Sequence, residues 1–417
     1  MKKIETEVLV AGAGPVGMCA ALFLDAKGIG VTVVDSAPGV GTHSYGLALH
    51  ADTLERLESL GLRRKVEARG VPVRAIRFHD RSEEVQSLPL GEDGTGACLS
   101  IGQAELEEIL AAALRARGVP LLWQHALTDF RDEGQSVQGR VDELEQRLIG
   151  YASAHMDWFA GRTKPFTARL LVGADGHRSV TRRRLKIPFE EVGTPETFAV
   201  FEFKSDAPPD EVLHIVMERG HVSAHWPLPH NVCRWSFEVD DCSALRSARE
   251  KDRDLAQWVG GLAYPALREE VLGHFLDDRV PWFAGERGNL YWRSLVRFEN
   301  RLVPRFGAGR VWLAGDAAHL TGPVGIQSMN QGIAEAGRIA AAVKEMFDDG
   351  HTEPVPLIEY GNESLRQWRF LHGIDGPAAA AEGTGEYFKA HAARLRRCLP
   401  ATGTGLRALG ERVGIDF

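Results

Sequence analysis

The chain of 417 residues has few cysteines and places them far apart, which excludes the small scaffolds that depend on disulfides. Its 5 cysteines are odd in number and contain no Cys-x-x-Cys spacing, so they indicate neither a disulfide framework nor a cysteine zinc site. The sequence also lacks a His-Glu-x-x-His motif, a Ser/His/Asp order and a Walker-type lysine. We therefore predict a reducing compartment and no metal site.

Excess positive charge and long apolar runs are lacking too. Lys plus Arg number 49 against 57 Asp plus Glu, a formal net charge of −8, so the chain as a whole offers no basic field for nucleic acid. No apolar run reaches the roughly 18 residues expected of a membrane span, and the Met1-Lys2-Lys3 start leads straight into a strand pattern. We expect a cytoplasmic protein with no nucleic-acid partner and no membrane span, whose oligomeric state stays unknown.

What the sequence does contain is a strand–turn–helix–strand unit over residues 8–35. The turn has the sequence GAGPVG at residues 12–17, which is the GxGxxG spacing of dinucleotide-binding proteins. In such a unit Gly12 permits the tight turn, Gly14 lets the backbone approach a pyrophosphate, and Gly17 lets the helix pack closely on the strand.

The start of the helix and the end of the second strand support the same interpretation. Pro15 and Val16 open a helical stretch whose free N–H groups would face the phosphates, with the positive end of the helix dipole behind them. Asp35 stands where an acid would accept hydrogen bonds from an adenosine ribose. The unit predicts dinucleotide binding, with a glycine-rich turn in another kind of α/β protein as the alternative.

Two later stretches also have the short apolar pattern that is typical of buried parallel strands. Residues 170–172 run into a Gly-Asp-Gly turn, and residues 311–313 lead into an Ala-Gly-Asp sequence. Between about 195 and 300 the apolar stretches are short, aromatic and partly alternating, which predicts an antiparallel sheet. Residues 131–168 fit either a strand pair with a loop or a short helix.

These patterns predict an α/β fold, in which a Rossmann-like nucleotide-binding domain is interrupted by an antiparallel β-sheet domain and followed by C-terminal helices. Ligand pockets favour such domain interfaces and the carboxyl ends of parallel strands. The predicted boundaries are residues 1–72, 96–189 and 286–350 for the nucleotide domain, 73–95 and 190–285 for the substrate-side sheet, and 351–417 for the C-terminal helices.

Three motifs stand in an order and spacing that resembles the single-component, group A flavin monooxygenases related to p-hydroxybenzoate hydroxylase. They are GAGPVG at 12–17, GADGHRS at 173–179 and GDAAHLTGPVGIQSMNQGI at 315–333. The stretch WPLP at 226–229 also looks like the substrate-side sheet of that family. The resemblance covers about residues 5–345 and implies a GR2-type FAD-binding domain, with FAD as cofactor and NAD(P)H as co-substrate.

The resemblance implies roles for individual positions. Asp316 could accept hydrogen bonds from ribityl hydroxyls, or it could cap its own helix. Asp175 resembles the acid that serves FAD and the nicotinamide nucleotide, or it could be a turn-forming Asp. In this family, backbone N–H groups at the start of the helix opened by residues 323–330 face the pyrimidine edge of the flavin. Their dipoles favour the negative charge of reduced flavin. The remaining cofactor positions are Gly315, Pro323, Gly325, Met329 and Asn330, with Gln103 on the pyrophosphate side and Leu127 near the adenine.

The chain also departs from the family pattern. Many relatives have an Arg in the loop where Tyr45 stands, and they usually read PPxGGQGMN where this chain has substitutions at Gly322, Ile326 and Ser328. We expect Ile326 and Ser328 to crowd the space beside the flavin, where oxygen and substrate must meet. The departures therefore weigh against hydroxylation more than against FAD binding.

Candidate substrate-pocket residues are His214, His225 and Trp226, although a lone His on a strand is more often simply packed or exposed. His319 is expected to be structural. The resemblance implies that the protein hydroxylates an aromatic, phenolic or polycyclic small molecule with NAD(P)H and O₂ through a flavin hydroperoxide. The catalytic residues, the substrate-activating base and the choice of NADH or NADPH stay unassigned. The alternatives are a non-oxygenating reductase or dehydrogenase, a flavin halogenase, whose WxWxIP motif is missing, and a non-catalytic FAD-binding carrier.

Overall fold

The computed structural model describes most of the chain. The described residues are 3–41, 48–91, 96–149, 155–206, 210–218, 220–240, 257–259, 267–283, 285, 287–349 and 353–417. Tyr45, which stands at a position of family departure, lies outside the described residues.

The described strands and helices follow one another along the chain with short connections. The strands are β1 Ile4–Ala11, β2 Val31–Val34, β3 Ala48–His50, β4 Val71–Val73, β5 Ala75–Asp80, β6 Glu83–Pro89, β7 Cys98–Ser100, β8 Leu121–Leu122, β9 His125–Asp132, β10 Val137–Ile149, β11 His155–Gly173, β12 Glu190–Ser205, β13 Val212–Glu218, β14 His221–Leu228, β15 Val232–Val239, β16 Gln257–Val259, β17 Arg287–Leu302, β18 Gly307–Ala308, β19 Val311–Leu313, β20 His319–Leu320, β21 Ala379–Ala380 and β22 Ile415–Asp416. The helices are α1 Pro15–Ala26, α2 Ala51–Ser59, α3 Arg63–Glu67, α4 Gln103–Ala116, α5 Val180–Arg184, α6 Glu269–Arg279, α7 Gln327–Asp348, α8 Val355–Leu371, α9 Glu386–Cys398 and α10 Gly403–Arg412.

The first sheet has a parallel core in the order β19-β11-β1-β2-β8, with β18 antiparallel at one edge. Residues 8–11 of β1 are fully buried, as expected for a parallel strand that is covered on both faces. Helix α1 contacts both α4 and α7 on one face. On the other face, β10 pairs antiparallel with β9 and with the first part of β11, so the described residues of the segment 131–168 form a strand pair and not a short helix.

The second sheet has the order β16-β17-β12-β15-β14-β13-β5-β6 and is antiparallel except for the parallel pair β13–β5. Its alternating residues separate into two faces. Phe198 and Trp226 join the main core, whereas Phe201 and Trp235 pack in a second core with residues of α6. Strand β17 belongs to this sheet although it begins after the boundary predicted at 285, and the domain boundaries stay predictions.

The C-terminal helices pack back onto the rest of the protein. The Tyr360 hydroxyl on α8 donates to the carbonyl of Leu313 at 2.6 Å. Gln327, the first residue of α7, donates to the carbonyls of Leu399 (2.7 Å) and Ala401 (2.9 Å). Among the described helices, none combines the length and the apolar character that a membrane crossing requires.

Candidate active site

A cavity of about 460 Å³ lies where α1, α7 and the second sheet meet. We call one side of it the motif end, lined by Gly14, Pro15, Val16, Gln103, Ala174, Gly176, His177, Ala314 and Asp316. We call the other side the sheet end, lined by Arg234, Trp292, Val296, Phe298 and Glu299. The segment between them contributes Leu320, Thr321, Gly322, Pro323, Ile326, Gln327, Ser328 and Met329.

The glycines of the GAGPVG turn divide into two that pack and one that leaves space. A Cβ on Gly12, whose φ is +105°, would lie 2.0 Å from the carbonyl oxygen of Ala174. A Cβ on Gly17 would lie 2.0 Å from the carbonyl oxygen of Gly12. A Cβ on Gly14 would meet nothing within 4 Å, and Gly14 lines the cavity. Gly12 and Gly17 therefore shape the turn, while Gly14 opens room for a ligand.

Two helices begin at the cavity. Helix α1 starts at Pro15 and α7 at Gln327, and neither start has a side-chain cap. The first N–H groups of a helix have no partner within the helix, and they carry the positive end of its dipole. The cavity wall thus offers two sets of backbone donors that favour a negatively charged ligand.

Asp35 and Asp175 bind the protein's own backbone and hydroxyl groups. Asp35 accepts hydrogen bonds from the N–H groups of Ala13 (2.6 Å) and Ala37 (2.7 Å), so it holds the glycine-rich turn against β2. Asp175 accepts from the Ser179 hydroxyl (2.5 Å) and from Thr181 N–H (2.9 Å), and it therefore orders the start of α5. Neither carboxylate lines the cavity.

Asp316 is the acid that does face the cavity. It lies in the short 3₁₀ turn Gly315–Ala317 after β19, and no hydrogen bond among the described residues reaches its carboxylate. Burial raises the pKa of Asp316, the negative charge of Glu335 raises it further, and His319 opposes them. An acceptor in this position can bind ligand hydroxyls.

Glu335 on α7 organises the turn behind Asp316. Its carboxylate accepts from Gly315 N–H (2.8 Å), from His319 Nε2 (2.9 Å) and from Trp368 Nε1 (2.8 Å). Burial alone would raise the pKa of Glu335, but the charge and hydrogen bond of His319 bring it below its usual range. His319 also stacks on Trp368 with ring centroids 3.7 Å apart, so it is structural as predicted. Glu335 itself was missed, because one acid in a helical pattern gives no sign of its partners.

The start of α7 is held by buried amide bonds. Asn330 Oδ1 accepts from His50 N–H (2.9 Å) and from the Thr53 hydroxyl (2.7 Å), and its Nδ2 donates to the carbonyls of Ala48 (2.9 Å) and Ile326 (2.8 Å). Asn330 therefore positions the helix and does not line the cavity, unlike its neighbour Met329.

Backbone approach explains a further glycine in this segment. A Cβ on Gly325 would lie 2.3 Å from the carbonyl oxygen of Arg397, so the start of α7 can sit against the C-terminal segment only without a side chain there. A Cβ on Gly315, whose φ is +62°, would lie 3.0 Å from the Val16 side chain, so the 3₁₀ turn packs closely on the start of α1. Pro323, next to Gly325 in the motif, lines the cavity.

Gln103 and Leu127, whose predicted cofactor contacts rest on the family resemblance alone, lie in different parts of the structure. Gln103 opens α4 and lines the cavity, where its amide donates to Glu107 at 2.7 Å. Leu127 on β9 is buried with Leu9 and Val34 in a core on the other face of the first sheet. The structure therefore does not bring Leu127 to the cavity.

The three family departures within residues 322–328, Gly322, Ile326 and Ser328, all line the cavity. Ile326, which immediately precedes α7, has φ +50°, a left-handed conformation that costs a β-branched residue roughly 1–2 kcal/mol. This conformation explains why relatives have Gly at the aligned position. Ser328 has a buried hydroxyl without a partner among the described residues, and a Cβ on Gly322 would lie 2.4 Å from Glu196 Oε2.

The sheet end combines aromatic surface with buried charge. Arg234 donates to Glu202 at 2.6 Å, with side-chain exposures of 5% and 12%, and its guanidinium lies 5.1 Å from the ring centroid of Trp292. Glu299 is buried and accepts from Arg297 (3.0 Å) and from Arg301. Sequence analysis missed these residues, although their positions on alternating strands place them on the face that joins the main core.

The structure does not bring His214 or His225 to the cavity. Both lie on the opposite face of the second sheet, where the His225 ring is 5.0 Å from Trp235. Trp226 lies on the main-core face, in register with Arg234, but it is buried within the core and does not line the cavity. Contact of these three residues with a substrate stays a prediction.

The motif end fits a dinucleotide. Gly14 leaves space at a helix start, a second uncapped helix start lies opposite, and the Asp316 carboxylate faces the cavity without a partner among the described residues. These three features match what phosphates and sugar hydroxyls need. The roles of the individual predicted ligands stay predictions.

Comparison with known proteins agrees with this geometry. Residues 5–367 match the family model described as FAD binding domain. The 6-methylpretetramide 4-monooxygenase of Streptomyces rimosus is 29% identical over 364 residues, which is 86% of this chain and 59% of that protein. The 3-(3-hydroxy-phenyl)propionate/3-hydroxycinnamic acid hydroxylase of Mycobacterium sp. (strain JLS) is 25% identical over 351 residues, which is 82% of this chain and 55% of that protein. The chain thus spans little more than half the length of these relatives.

A solved structure resembles the whole chain. The p-nitrophenol 4-monooxygenase PnpA from Pseudomonas putida DLL-E4 superposes with a TM-score of 0.70 at 18% identity, covering 99% of this chain and 95% of that one. At this identity the likeness shows the fold, and it confirms the predicted α/β class.

Proposed function

The chain belongs to the FAD binding domain family, and on that premise we propose that it is an FAD-dependent monooxygenase that hydroxylates a phenolic or other aromatic small molecule with NAD(P)H and O₂. The observation that carries the proposal is the cavity itself. Its motif end offers backbone donors and a carboxylate, and its sheet end offers aromatic side chains around a buried Arg.

The motif end would hold FAD through backbone N–H groups that attract phosphate and through a carboxylate that accepts from hydroxyls. The N-terminus of α1, beside Gly14, suits the pyrophosphate, and Asp316 suits the ribityl hydroxyls. The N-terminus of α7 places fixed dipoles where negative charge on the ring is favoured. When bound, FAD supplies the redox chemistry, namely acceptance of a hydride from NAD(P)H and reduction of dioxygen.

The sheet end would bind and orient the aromatic substrate. Trp292, Val296 and Phe298 give an apolar wall that favours a planar ring and excludes water. Arg234, held by Glu202, can stabilise a phenolate oxygen and so favour the deprotonated, more nucleophilic substrate. Glu299 already accepts from two Arg side chains, so we assign it a positioning role.

The proposal rests on relatives as well as on geometry. The Mycobacterium relative is named a hydroxylase of a hydroxyphenyl acid, and the Pseudomonas structure is named a monooxygenase of p-nitrophenol. We therefore extend a phenolic substrate class to this chain. Ile326 and Ser328 narrow the middle of the cavity where relatives usually have Gly, and this favours a small or edge-bound ring over a bulky one.

The test is a coupled assay on FAD-saturated protein with a panel of phenols. We expect NAD(P)H oxidation that an aromatic substrate stimulates, with equal O₂ uptake and with ¹⁸O from labelled dioxygen in the product. Sustained NAD(P)H oxidation under anaerobic conditions, with a saturated product and no ¹⁸O incorporation, would support a non-oxygenating reductase instead. A folded protein that binds FAD but never oxidises NAD(P)H would support the carrier, and halogenated product that requires halide would support the halogenase.

A further inference from the structure

A cluster of histidines and one acid lies on the second sheet, on the face opposite the cavity. Asp210 precedes β13, His214 lies on β13, and His225 stands directly across from His214 on β14. One oxygen or nitrogen atom from each of these three side chains lies within 4.8 Å of the others. The shortest of these contacts is 2.8 Å, between His214 Nε2 and Asp210 Oδ2.

His225 has no polar partner to explain its burial. It is only 4% exposed, and neither ring nitrogen has a hydrogen bond among the described residues. Its neighbours include Trp235 at 5.0 Å and Phe283 at 6.0 Å between ring centroids, which offer no acceptor. Buried polar groups are almost always satisfied, because an unsatisfied one costs about 1–3 kcal/mol. The buried imidazole therefore points to a ligand.

The protonation states suit a cation. Burial, reinforced by the charge of His214, lowers the pKa of His225 to about 3, whereas Asp210 opposes this shift. Burial alone would raise the pKa of Asp210, but the hydrogen bond and charge of His214 bring it below its usual value. At neutral pH the pair is thus a neutral imidazole and a carboxylate, the forms that coordinate metal ions.

A fourth side chain provides the outer support that metal-binding histidines usually have. His79 Nε2 lies 3.0 Å from His214 Nδ1, and the His79 ring stacks on Trp282 with centroids 4.2 Å apart. A ligating His commonly donates its other N–H to such a partner. An ion can enter from solvent, because the Asp210 side chain is 46% exposed.

We propose that Asp210, His214 and His225 form a binding site for one divalent transition-metal ion, and that Zn²⁺ is the ion that suits it. Two imidazoles and a carboxylate are typical zinc donors, with a water molecule in the fourth position. Zinc would displace the proton shared by Asp210 and His214. Tetrahedral ligands about 2.0–2.2 Å from zinc lie roughly 3.3–3.6 Å apart. Asp210 and His214, now 2.8 Å apart, must therefore separate slightly, which the exposed Asp210 side chain allows.

The site is independent of FAD and of the proposed oxygenation. It ties the segment before β13 to the β13–β14 hairpin on the face away from the cavity. No sequence motif predicts this site, because its ligands come from a loop and two strands and do not have the residue spacing of a known zinc motif. We therefore expect zinc to bind whether or not the protein hydroxylates phenols.

The test measures zinc in the full chain, saturated with FAD and free of any polyhistidine tag. The protein is stripped with a chelator, dialysed against micromolar ZnCl₂, and analysed by mass spectrometry for metal per chain. We expect one zinc per wild-type chain, and a loss of affinity of about a hundredfold or more in Asp210→Asn and His225→Gln, each of which removes a ligand. His79→Gln should lose about tenfold, as outer-shell changes do.

His221→Asn is the matched control. His221 lies on the same strand as His225 and contacts Asp240 at 3.0 Å, but no third ligand lies beside this pair among the described residues, so the zinc content of this variant should equal that of wild type. Asp210 is at the surface, so Asp210→Asn should fold even if His225→Gln does not. Zinc should raise the Tm of wild type and of His221→Asn but not of Asp210→Asn. Wild type without zinc, or Asp210→Asn with the wild-type affinity, would refute the site.

Discussion

The motif end of the cavity is built from backbone, whereas the sheet end is built from side chains. At the motif end, glycines and the start of α1 decide the shape, and among the described lining residues Asp316 is the one carboxylate. At the sheet end, Arg234 comes from β15, whereas Trp292 and Glu299 come from β17, which begins almost 50 residues after β15 ends. Backbone geometry demands particular residues at fixed spacing, so it leaves a motif. Side chains on separate strands leave none, and this end is free to differ between relatives.

The largest expected effect is at the turn. Gly12 has a positive φ, and in Gly12→Ala the new Cβ would lie 2.0 Å from the carbonyl oxygen of Ala174. We therefore expect the free energy of unfolding to fall by on the order of 4 kcal/mol, and we expect no folded FAD complex. Gly14→Ala is the matched control, because its Cβ meets nothing within 4 Å. It should keep the Tm of the FAD-free protein within a few degrees while weakening FAD binding. Equal thermal stability of the two variants would contradict this account of the turn.

Glu335→Gln tests the support behind the motif end. The buried carboxylate holds Gly315, His319 and Trp368, so we expect a loss of about 3 kcal/mol at pH 7 by urea unfolding. Because the folded pKa of Glu335 is lowered, its contribution is present above the unfolded pKa of about 4.3 and is lost as the pH falls through the folded pKa. The difference between wild type and variant should therefore shrink in acid. A difference that grows below pH 4 would show that the sign is wrong.

Asp316→Asn separates ligand binding from folding. No hydrogen bond among the described residues uses this carboxylate, and burial raises its pKa, so removal of the charge should not lower the stability of the FAD-free protein at pH 7. FAD affinity, measured by fluorescence titration, should fall at least about tenfold, because a charged acceptor is lost. Unchanged FAD affinity would remove Asp316 from the FAD site.

The smallest of these effects is expected at the sheet end. Arg234→Lys keeps a positive charge beside Glu202 but loses the planar fork. We expect the FAD affinity to stay unchanged and the KM for a phenol to rise about tenfold, equivalent to roughly 1.4 kcal/mol. A fall in FAD affinity without a change in KM would reverse the assignment of the two ends.

The sequence predicted the backbone-built part of the molecule well. The α/β class and the family are confirmed, and the GxGxxG unit forms the expected β1–α1–β2 arrangement. The hydrogen-bond partners of individual side chains could not be predicted from the sequence. The side-chain amide of Asn330 uses its oxygen and its nitrogen on backbone and hydroxyl partners up to 282 residues away, and the predicted place of Asn330 at the flavin stays a prediction. Such long-range pairing depends on packing that no local pattern encodes.

The face on which a strand residue lies was the other difficulty. His225 and Trp226 are adjacent on β14, so they must point to opposite faces of the sheet, and one substrate pocket on one face cannot receive both. The alternation of the strand contained this information. Which face held the cavity did not follow from the sequence, because the helices that cover the two faces come from distant segments.

The contact between Gln327 and the carbonyls of residues 399 and 401 has a consequence for biosynthesis. The glycine-rich turn leaves the ribosome early, but the segment that fixes the start of α7 is translated almost 400 residues later. A nascent chain cannot complete the start of α7 until residues 399 and 401 have emerged, so any cofactor that needs the finished cavity binds after they are translated. During that interval part of the apolar surface of the first strands is exposed to solvent, and the chain is then most prone to aggregate and most dependent on chaperones.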